Sequence, residues 1–459
     1  MKYDFITVLD RTGADSIAAN IDPWGVSPAP AQRIPMWVAD MSFPTAPPIL
    51  EAMHKRLAFP NFGYFSMPDE YFDCILRWQE TRNGLTGLKR ADIGYENGVL
   101  GGVSSAVQAL TVPGEAVLLH APAYIGFTHV LDNLGRKAEL SPLRRDENGV
   151  WRMDYEDMDR HLKEHSIRLA ILCSPHNPTG RVWERWELEK AMEVYAANDC
   201  FVLSDEIWSD LILPGYHHIP TLSVSDDARR RTAAFYAPSK TFSLAGLIGS
   251  YHIIPDPWLR DRVTRQGDLS HYNSCNVLSL HALLGAYSDE GAQWLDELRP
   301  VLADNIRYAC DFIAAHFPGV QVMQPQGTYM LFLDCTAWLQ EHHMTLRELE
   351  ERELIFRTVP FQGEAGWIFL RVPRCGVEGE REKALGLPPP APAVRDPWEE
   401  RAWAPREGGL DPTDDVGRML AALERSGGQF STAPSGSGPG SSPGTPGPIP
   451  DGGGAGFGP

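Results

Sequence analysis

Hydrophobic residues follow two alternating patterns over roughly the first 385 positions of the chain. Apolar positions at helical spacing predict helices over residues 49–57, 69–82, 186–197 and 289–316. Short continuous apolar runs predict strands buried on both faces at 116–119, 169–172, 201–203, 232–236 and 250–254. Because strands and helices alternate, the chain is expected to form an α/β fold, with a mostly parallel sheet covered by helices.

The pattern changes after the long predicted helix at 289–316. The segment QPQGTYMLFLDC predicts a turn that enters a strand, and another helix is expected around 345–353. This α+β pattern predicts a smaller domain over 286–385, beside a large domain over 46–285. Residues 1–45 contain several prolines and are expected to form an N-terminal arm that belongs to the small domain. No internal repeat is visible.

The composition changes again near residue 386. Gly and Pro make up 29 of the last 72 residues, which is well above ordinary usage. Such a segment buries too little apolar surface to offset the entropy of ordering, so we expect a disordered tail over 386–459, interrupted by one short helical pattern at 414–425. It is a flexible linker, an interaction segment or a frameshifted reading of the coding sequence. The abrupt change favours the frameshift.

Charge and cysteine usage exclude several classes of protein. With 60 acidic and 41 basic residues, the formal net charge is −19, which disfavours general nucleic-acid binding. The seven cysteines are scattered without a CxxC pair, so neither a disulfide framework nor a metal site is expected. No signal-peptide pattern and no apolar run of the ~18 residues needed to span a membrane is visible. We expect a cytoplasmic protein with no membrane partner.

Two polar residues directly follow predicted structural elements and carry candidate chemistry. Lys240 lies in APSKTFSLAGL. A lone Ser-Lys pair is usually a surface loop, but a partly desolvated amine can form an imine with an aldehyde cofactor. Asp205 lies in LSDEIWSDL, just after an apolar strand. It is either a local cap or a carboxylate that pairs with a pyridinium nitrogen at the ligand-binding edge of the sheet.

Two further segments are compatible with cofactor binding. Asn177 lies in SPHNPTG, which is either an ordinary turn or the source of an amide donor for a phenolic oxygen. The segment NGVLGGVSSAVQAL predicts a Gly-rich turn that enters a helix, and a helix N-terminus binds phosphate readily. No GKS or GKT follows these glycines, so the segment is not a P-loop.

Taken in order, the phosphate-binding turn, Asn-Pro-Thr-Gly, Asp and Ser-Lys resemble the fold-type I pyridoxal-phosphate (PLP) enzymes of the class I/II aminotransferase family. The motifs PMWVADMSF, FGYFSMP and QGTYMLFLD resemble more narrowly the cystathionine β-lyase subgroup (C–S lyases of the MalY/PatB type). The resemblance covers residues 1–385. It implies the PLP-dependent transferase-like fold, with a seven-stranded, mostly parallel sheet between helices and a smaller α+β domain.

The resemblance also implies a PLP cofactor and roles for individual residues. Lys240 matches the Schiff-base lysine that shuttles protons. Asp205 matches the partner of the pyridine nitrogen, Asn177 the donor to the phenolic oxygen, and Tyr124 the aromatic that stacks on the ring. The remaining matched cofactor contacts are Trp208 and, at the phosphate, Ser239, Gly98, Val99 and Leu100. Tyr64 matches a tyrosine that reaches the neighbouring subunit's cofactor phosphate, so a homodimer is expected.

At the substrate end, Arg371 in GWIFLRVPRC matches the arginine that clamps the α-carboxylate of an amino-acid substrate, with Arg374 as the alternative. Asn177 and Asp40 are the other expected substrate contacts. Two positions depart from the family pattern. Trp208 stands where the subgroup often has His, and Ile248 replaces the phosphate-binding Arg of many aminotransferases.

The activity implied is β-elimination from cystathionine or another cysteine S-conjugate, which releases a thiol, pyruvate and ammonia. Two alternatives remain open. An aminotransferase shares every step up to removal of the Cα proton. A regulatory binding protein on the same fold is the third possibility, and the intact Lys240, Asp205 and Asn177 argue against a purely non-catalytic role.

Overall fold

The computed structural model describes residues 2–20, 38–269 and 273–346 and the strand at 367–371. Tertiary contacts divide the chain into residues 1–394 and 395–459, and every described residue belongs to the first unit. The predicted tail, its helical pattern at 414–425, Arg374 and most of the helix expected around 345–353 lie outside the described residues. The domain boundaries proposed from the sequence stay predictions.

All four helices predicted over 49–57, 69–82, 186–197 and 289–316 are present, and 289–316 is a single helix as predicted. The described helices are α1 (Ile17–Asn20), α2 (Pro47–Leu57), α3 (Asp69–Asn83), α4 (Val99–Leu110), α5 (Ile125–Asn133), α6 (Tyr155–Glu164), α7 (Arg185–Ala197), α8 (Asp226–Arg231), α9 (Pro238–Thr241), α10 (Pro257–Leu269), α11 (Val277–Ala286), α12 (Asp289–His316) and α13 (Thr336–Glu341). No helix in the described ranges is both long and apolar enough to cross a membrane.

The strands form one large sheet and two small ones. They are β1 (Ile93–Asn97), β2 (Ala116–Ala121), β3 (Lys137–Pro142), β4 (Arg144–Arg145), β5 (Trp151–Arg152), β6 (Leu169–Cys173), β7 (Phe201–Asp205), β8 (Thr232–Tyr236), β9 (Gly249–Ile253), β10 (Gln321–Met323), β11 (Met330–Asp334) and β12 (Trp367–Arg371). Strands β10, β11 and β12 form an antiparallel sheet in which Met330 is opposite Arg371. The pair β4 and β5 is a short antiparallel ribbon.

The large sheet has seven strands in the order β1-β9-β8-β7-β6-β2-β3. Strands β3, β2, β6, β7 and β8 run parallel, while β9 is antiparallel to both of its neighbours. Every residue of β6 and β8 is buried, because helices cover both faces of the sheet. The predicted α/β fold with a seven-stranded, mostly parallel sheet is therefore confirmed.

The register of the central strands fixes where the functional segments leave the sheet. Cys173 at the end of β6 pairs with Asp205 at the end of β7, and Asp205 pairs with Phe235 near the end of β8. The loops that follow these three parallel strands therefore begin at one edge of the sheet. In open α/β sheets, ligands bind at this carboxyl edge.

Candidate active site

The carboxyl edge of the sheet gathers three of the residues singled out in the sequence. Asp205 is the last residue of β7, Asn177 lies in the loop after β6, and Lys240 is the third residue of the short helix α9 that follows β8. Asp205 and Asn177 are buried, and Lys240 is partly buried. The fold thus brings together side chains that are separated by tens of residues in the sequence.

Asp205 is a carboxyl group held in an apolar environment. Burial raises its pKa from 3.8 to about 7, against the opposing effects of the Ile207 backbone N–H and the Lys240 amine. The Ile207 N–H donates to Oδ1 at 3.1 Å. A cation placed beside this carboxyl group would be stabilised by a full negative charge, because pairing favours the ionised form of the acid.

The neighbouring acid, Glu206, belongs to a different network. It is fully buried and accepts hydrogen bonds from Tyr236 Oη at 2.7 Å and from the Thr221 N–H at 2.9 Å. The ring nitrogen Nε2 of His218 lies 2.7 Å from Oε2 of Glu206. Although burial opposes it, the pKa of Glu206 is lowered by His218 and these hydrogen bonds. The carboxylate of Glu206 is therefore already bound by these three partners. Of the two acids, Asp205 is the one whose pKa the Lys240 amine affects.

The amine of Lys240 lies between the segment at 38–43 and an indole ring. Its Nζ is 3.4 Å from the carbonyl oxygen of Ala39 and 5.9 Å from the centre of the Trp208 ring. Ser243 holds the same segment, because its hydroxyl accepts from the Met41 N–H at 2.9 Å. The described part of the PMWVADMSF motif thus passes directly over the candidate catalytic lysine.

Two loops and the turn before β11 meet around Trp208. The N–H groups of Gln326 and Gly327 donate to the carbonyl of Gly180, at 2.9 and 3.0 Å, which joins the SPHNPTG loop to the QGTYM turn. In that turn, Tyr329 packs edge-on against Trp208, with ring centres 4.9 Å apart. Trp208 is buried, and it lines the site through a ring that neither accepts a hydrogen bond nor takes up a proton.

Arg371 lies in the backbone register next to this turn. It pairs with Met330 across β11 and β12, one residue after Tyr329. The strand therefore brings the position of the predicted carboxylate clamp to the neighbourhood of Trp208. Its role in substrate binding stays a prediction.

The predicted phosphate-binding turn lies at the start of a helix. Gly98 has φ +80° and immediately precedes α4, whose first two residues are Val99 and Leu100. The first N–H groups of a helix have no partner within the helix and attract anions. A Cβ at Gly98 would make only an ordinary contact, 3.7 Å from Cγ2 of Ile248, so the positive φ rather than a lack of space favours glycine here. This arrangement suits a phosphate.

Two more predicted contacts belong to segments beside this turn. Tyr124 directly precedes α5 and follows β2, and its ring packs edge-on against Phe127 with centres 5.3 Å apart. Ser239 is buried next to Lys240 in α9. Both residues lie just beyond the carboxyl end of a sheet strand, as a cofactor contact requires.

The surroundings of two other predicted site residues, Asp40 and Tyr64, could not be expected from the sequence. Asp40 forms an ion pair with Arg11, with Nη1 and Oδ1 2.9 Å apart, so its charge is already matched within the chain. Tyr64, by contrast, is fully exposed. Its predicted role requires a second subunit and stays a prediction.

A buried acid that no sequence motif indicated lies behind the site. Asp210 accepts hydrogen bonds from Thr241 Oγ1 and Trp78 Nε1, both at 3.0 Å, and burial raises its pKa. Thr241 is adjacent to Lys240, so Asp210 anchors the helix that carries the lysine. Asp210 is part of the LSDEIWSDL motif, but its partners are distant in sequence and no local pattern indicates them. A polar cavity of about 280 Å³, lined in part by Arg82 and Arg299, adjoins this acid.

Comparison with known proteins agrees with this geometry. The family model for aminotransferase class I and II matches residues 36–367, which include the Gly-rich turn, SPHNPTG, Asp205 and Lys240. The chain therefore belongs to the class I and II aminotransferase family, as the sequence motifs predicted.

Individual relatives narrow the similarity. The chain is 35% identical over 364 residues to cystathionine beta-lyase PatB of Bacillus subtilis, covering 79% of this chain and 93% of PatB. It is 32% identical to protein MalY of Escherichia coli, covering 81% of this chain and 94% of MalY. The crystal structure of cystalysin from Treponema denticola, which contains a pyridoxal 5'-phosphate cofactor, matches with a TM-score of 0.76 and 28% identity, over 84% of this chain and 98% of cystalysin.

Proposed function

We propose that this protein is a PLP-dependent carbon–sulfur β-lyase, which cleaves cystathionine or a similar cysteine S-conjugate to a thiol, pyruvate and ammonia. The observation that carries the proposal is the 35% identity to cystathionine beta-lyase PatB over 93% of that enzyme. The finer choice of substrate rests on this similarity and on the subgroup motifs at 35–43 and 62–68.

The residues at the sheet edge fit the cofactor chemically. A buried carboxyl group with a pKa near 7, an amine on the short helix α9 and a helix N-terminus that begins with a glycine match a protonated ring nitrogen, an aldehyde and a phosphate, respectively. The predicted PLP cofactor is confirmed at the level of the family, because related structures bind it. When bound, PLP supplies an aldehyde that captures the substrate amine and a ring that takes up the electron pair released at Cα.

The chain's own residues would then divide the work as follows. Asp205 holds a proton on the ring nitrogen, and the amide of Asn177 donates to the phenolic oxygen. Tyr124 covers one face of the ring, while the amino end of α4 and Ser239 hold the phosphate. Trp208 fills the wall of the site beside the lysine. These assignments keep the cofactor oriented and exclude water from the reacting centre.

Lys240 handles the protons of the reaction. Its free amine would act as the general base that removes the proton from Cα of the substrate. A guanidinium at position 371 suits the bidentate binding of the substrate carboxylate. The thiolate leaves from Cβ, and addition of one water to the remaining fragment yields pyruvate and ammonia. Tyr64 would contribute from a neighbouring subunit, so the active species is proposed to be a homodimer.

The decisive experiment incubates the purified protein, reconstituted with PLP, with cystathionine in the absence of any keto acid. We expect pyruvate and free thiol to form in equal amounts. Turnover that strictly requires a keto acid would instead identify an aminotransferase. A matched variant, Lys240→Ala, should lose both the reaction and the visible absorbance of the lysine-bound cofactor. Unchanged absorbance in that variant would contradict the role given to Lys240.

A further inference from the structure

A compact group of histidine and carboxylate side chains lies away from the candidate active site. His161 is on α6, His165 follows the end of that helix, and Glu139 is in the edge strand β3. One ligand atom from each side chain lies within 4.8 Å of the other two. None of the three residues belongs to the machinery assigned to PLP.

We propose that Glu139, His161 and His165 form a binding site for a divalent transition metal, with Zn²⁺ as its natural occupant. Two imidazoles and one carboxylate are a donor set that borderline-soft cations prefer, whereas Mg²⁺ and Ca²⁺ prefer oxygen ligands alone. Histidines four residues apart lie on the same face of a helix, one turn from each other. Their rings here are 5.9 Å apart and inclined by 25°, and one nitrogen of each ring lies within 3.5 Å of Glu139 Oε1.

The distances are close to those of an assembled site. His165 Nε2 is 3.5 Å from Glu139 Oε1, while His161 Nδ1 is 2.6 Å from the same oxygen. Ligands about 2.1 Å from a tetrahedral metal lie roughly 3.4 Å apart, so both His–Glu distances are within about 1 Å of those of an assembled site. His161 Nδ1 is buried and makes no well-directed hydrogen bond despite its short contact with Glu139, so a metal could take the place of that contact.

The surroundings of His161 support a metal-binding tautomer. Oδ2 of Asp157, one turn earlier on α6, lies 3.4 Å from His161 Nε2 and can accept its N–H. Ligating histidines commonly donate their second N–H to a carboxylate, which fixes the ring and strengthens the bond to the metal. Arg160 Nη2 is 3.1 Å from the same nitrogen and also contacts Asp157. This half-exposed arginine must turn aside when Nε2 carries the proton.

The site would act as a cross-link. It joins α6 to β3, the last strand of the large sheet, where only β2 pairs with the strand. Because a metal that binds only the folded state stabilises that state, Zn²⁺ should raise the melting temperature. Solvent reaches the site through His165, so water can occupy the fourth coordination position.

The test uses the full-length protein without a histidine tag, loaded with PLP, stripped with a chelator and then equilibrated with micromolar free Zn²⁺. Bound zinc is measured by elemental analysis, and the melting temperature is measured with and without Zn²⁺. We expect one Zn²⁺ per chain more in the wild type than in Glu139→Gln or His165→Gln, and at least tenfold weaker binding in both variants. Only the wild type should gain a zinc-dependent increase of a few degrees.

The control variant is His54→Gln, since His54 is an exposed histidine on α2 outside the cluster. It should bind Zn²⁺ as the wild type does. Equal zinc content and equal thermal shifts in all four proteins would overturn the proposal, as would failure of the wild type to take up Zn²⁺. Equal melting temperatures of the zinc-free proteins would show that the two substitutions leave the fold intact. If those temperatures fall, the zinc content of the variants at 10 °C, where they remain folded, decides the outcome.

Discussion

The raised pKa of Asp205 predicts an acid that destabilises the protein until a cofactor binds. Between pH 4 and 7 the folded chain keeps the proton that the unfolded chain releases, so the folded state loses stability as the pH rises through this window. Raising the pKa from 3.8 to about 7 corresponds to about 4 kcal/mol, at about 1.4 kcal/mol for each tenfold change. Above pH 7 the cost is complete and constant.

The substitution Asp205→Asn removes this charge and keeps an oxygen that can accept from the Ile207 N–H. Without PLP, the variant should be more stable than the wild type at pH 8 by on the order of 4 kcal/mol. The advantage should shrink by roughly 2–3 kcal/mol at pH 5, where the wild-type side chain is protonated in the folded state. Urea unfolding of both proteins at several pH values measures the difference.

The same substitution should have the opposite effect on the protein with PLP. If Asp205 pairs with the ring nitrogen, PLP stabilises the wild type more than the variant, and the variant binds PLP more weakly. The matched control is Asp261→Asn, at an exposed position of α10. Parallel pH profiles for wild type and Asp205→Asn in the absence of PLP would refute the reasoning.

Three further changes test other parts of the site. Gly180→Ala should destabilise the protein by more than about 2 kcal/mol in urea unfolding, because its φ is +67° and the new Cβ would lie 2.5 Å from Pro325 Cβ. The control Gly215→Ala, with φ +93° and open space around it, should cost only about 1 kcal/mol, and equal costs for the two variants would contradict this reasoning. Asp210→Asn should cost about 1–3 kcal/mol, and a double-mutant cycle with Thr241→Val should show coupling, whereas additive effects would exclude a shared hydrogen bond. Tyr64→Phe should weaken PLP binding about fivefold, measured by titration of the cofactor-free protein, and leave the stability of the PLP-free chain unchanged; unaltered binding would remove Tyr64 from the proposed neighbouring site.

The hydrophobic pattern predicted the five inner strands of the large sheet but not its two edge strands. The five strands predicted from apolar runs correspond to β2, β6, β7, β8 and β9, which are the five inner strands of the sheet. The two strands that were missed, β1 (IGYEN) and β3 (KAELSP), are the outermost. An edge strand is only partly covered, so it carries polar residues and lacks the continuous apolar run that marks a strand buried on both faces.

The hydrophobic pattern also could not predict whether a strand runs parallel or antiparallel to its neighbours. Strand β9 is nearly as buried as β8, yet it runs antiparallel to β8 and β1. The same side chains satisfy either direction when both faces are covered, so direction is decided by the connection between strands. Here twelve residues, 237–248, connect β8 to β9, which is the lower limit for a parallel crossover and favours the antiparallel return that the structure shows.

The common location of Lys240, Asp205 and Asn177 could be predicted from their short motifs. Each lies at or just after the end of a buried strand, and parallel strands end at one edge of the sheet. Asp210 and the cluster of Glu139, His161 and His165 could not be predicted, because their partners come from elements with no shared motif. The ion pair between Asp40 and Arg11 was equally invisible, since the residues between them carry no periodic pattern.

Trp208 limits which side chains beside the lysine could carry a proton in the proposed reaction. A histidine or tyrosine in its place would add a second group able to carry a proton beside the lysine, whereas an indole neither accepts nor releases one at neutral pH. In the proposed reaction, Lys240 and not residue 208 would therefore hold the proton removed from Cα, whether the reaction ends in elimination or in amino transfer. Elimination would require that the thiolate leave before Lys240 delivers that proton elsewhere. The outcome of the proposed reaction thus depends on the leaving group at Cβ. A substrate with a good thiolate leaving group, assayed without a keto acid, therefore distinguishes elimination from amino transfer more clearly than any further substitution around the lysine.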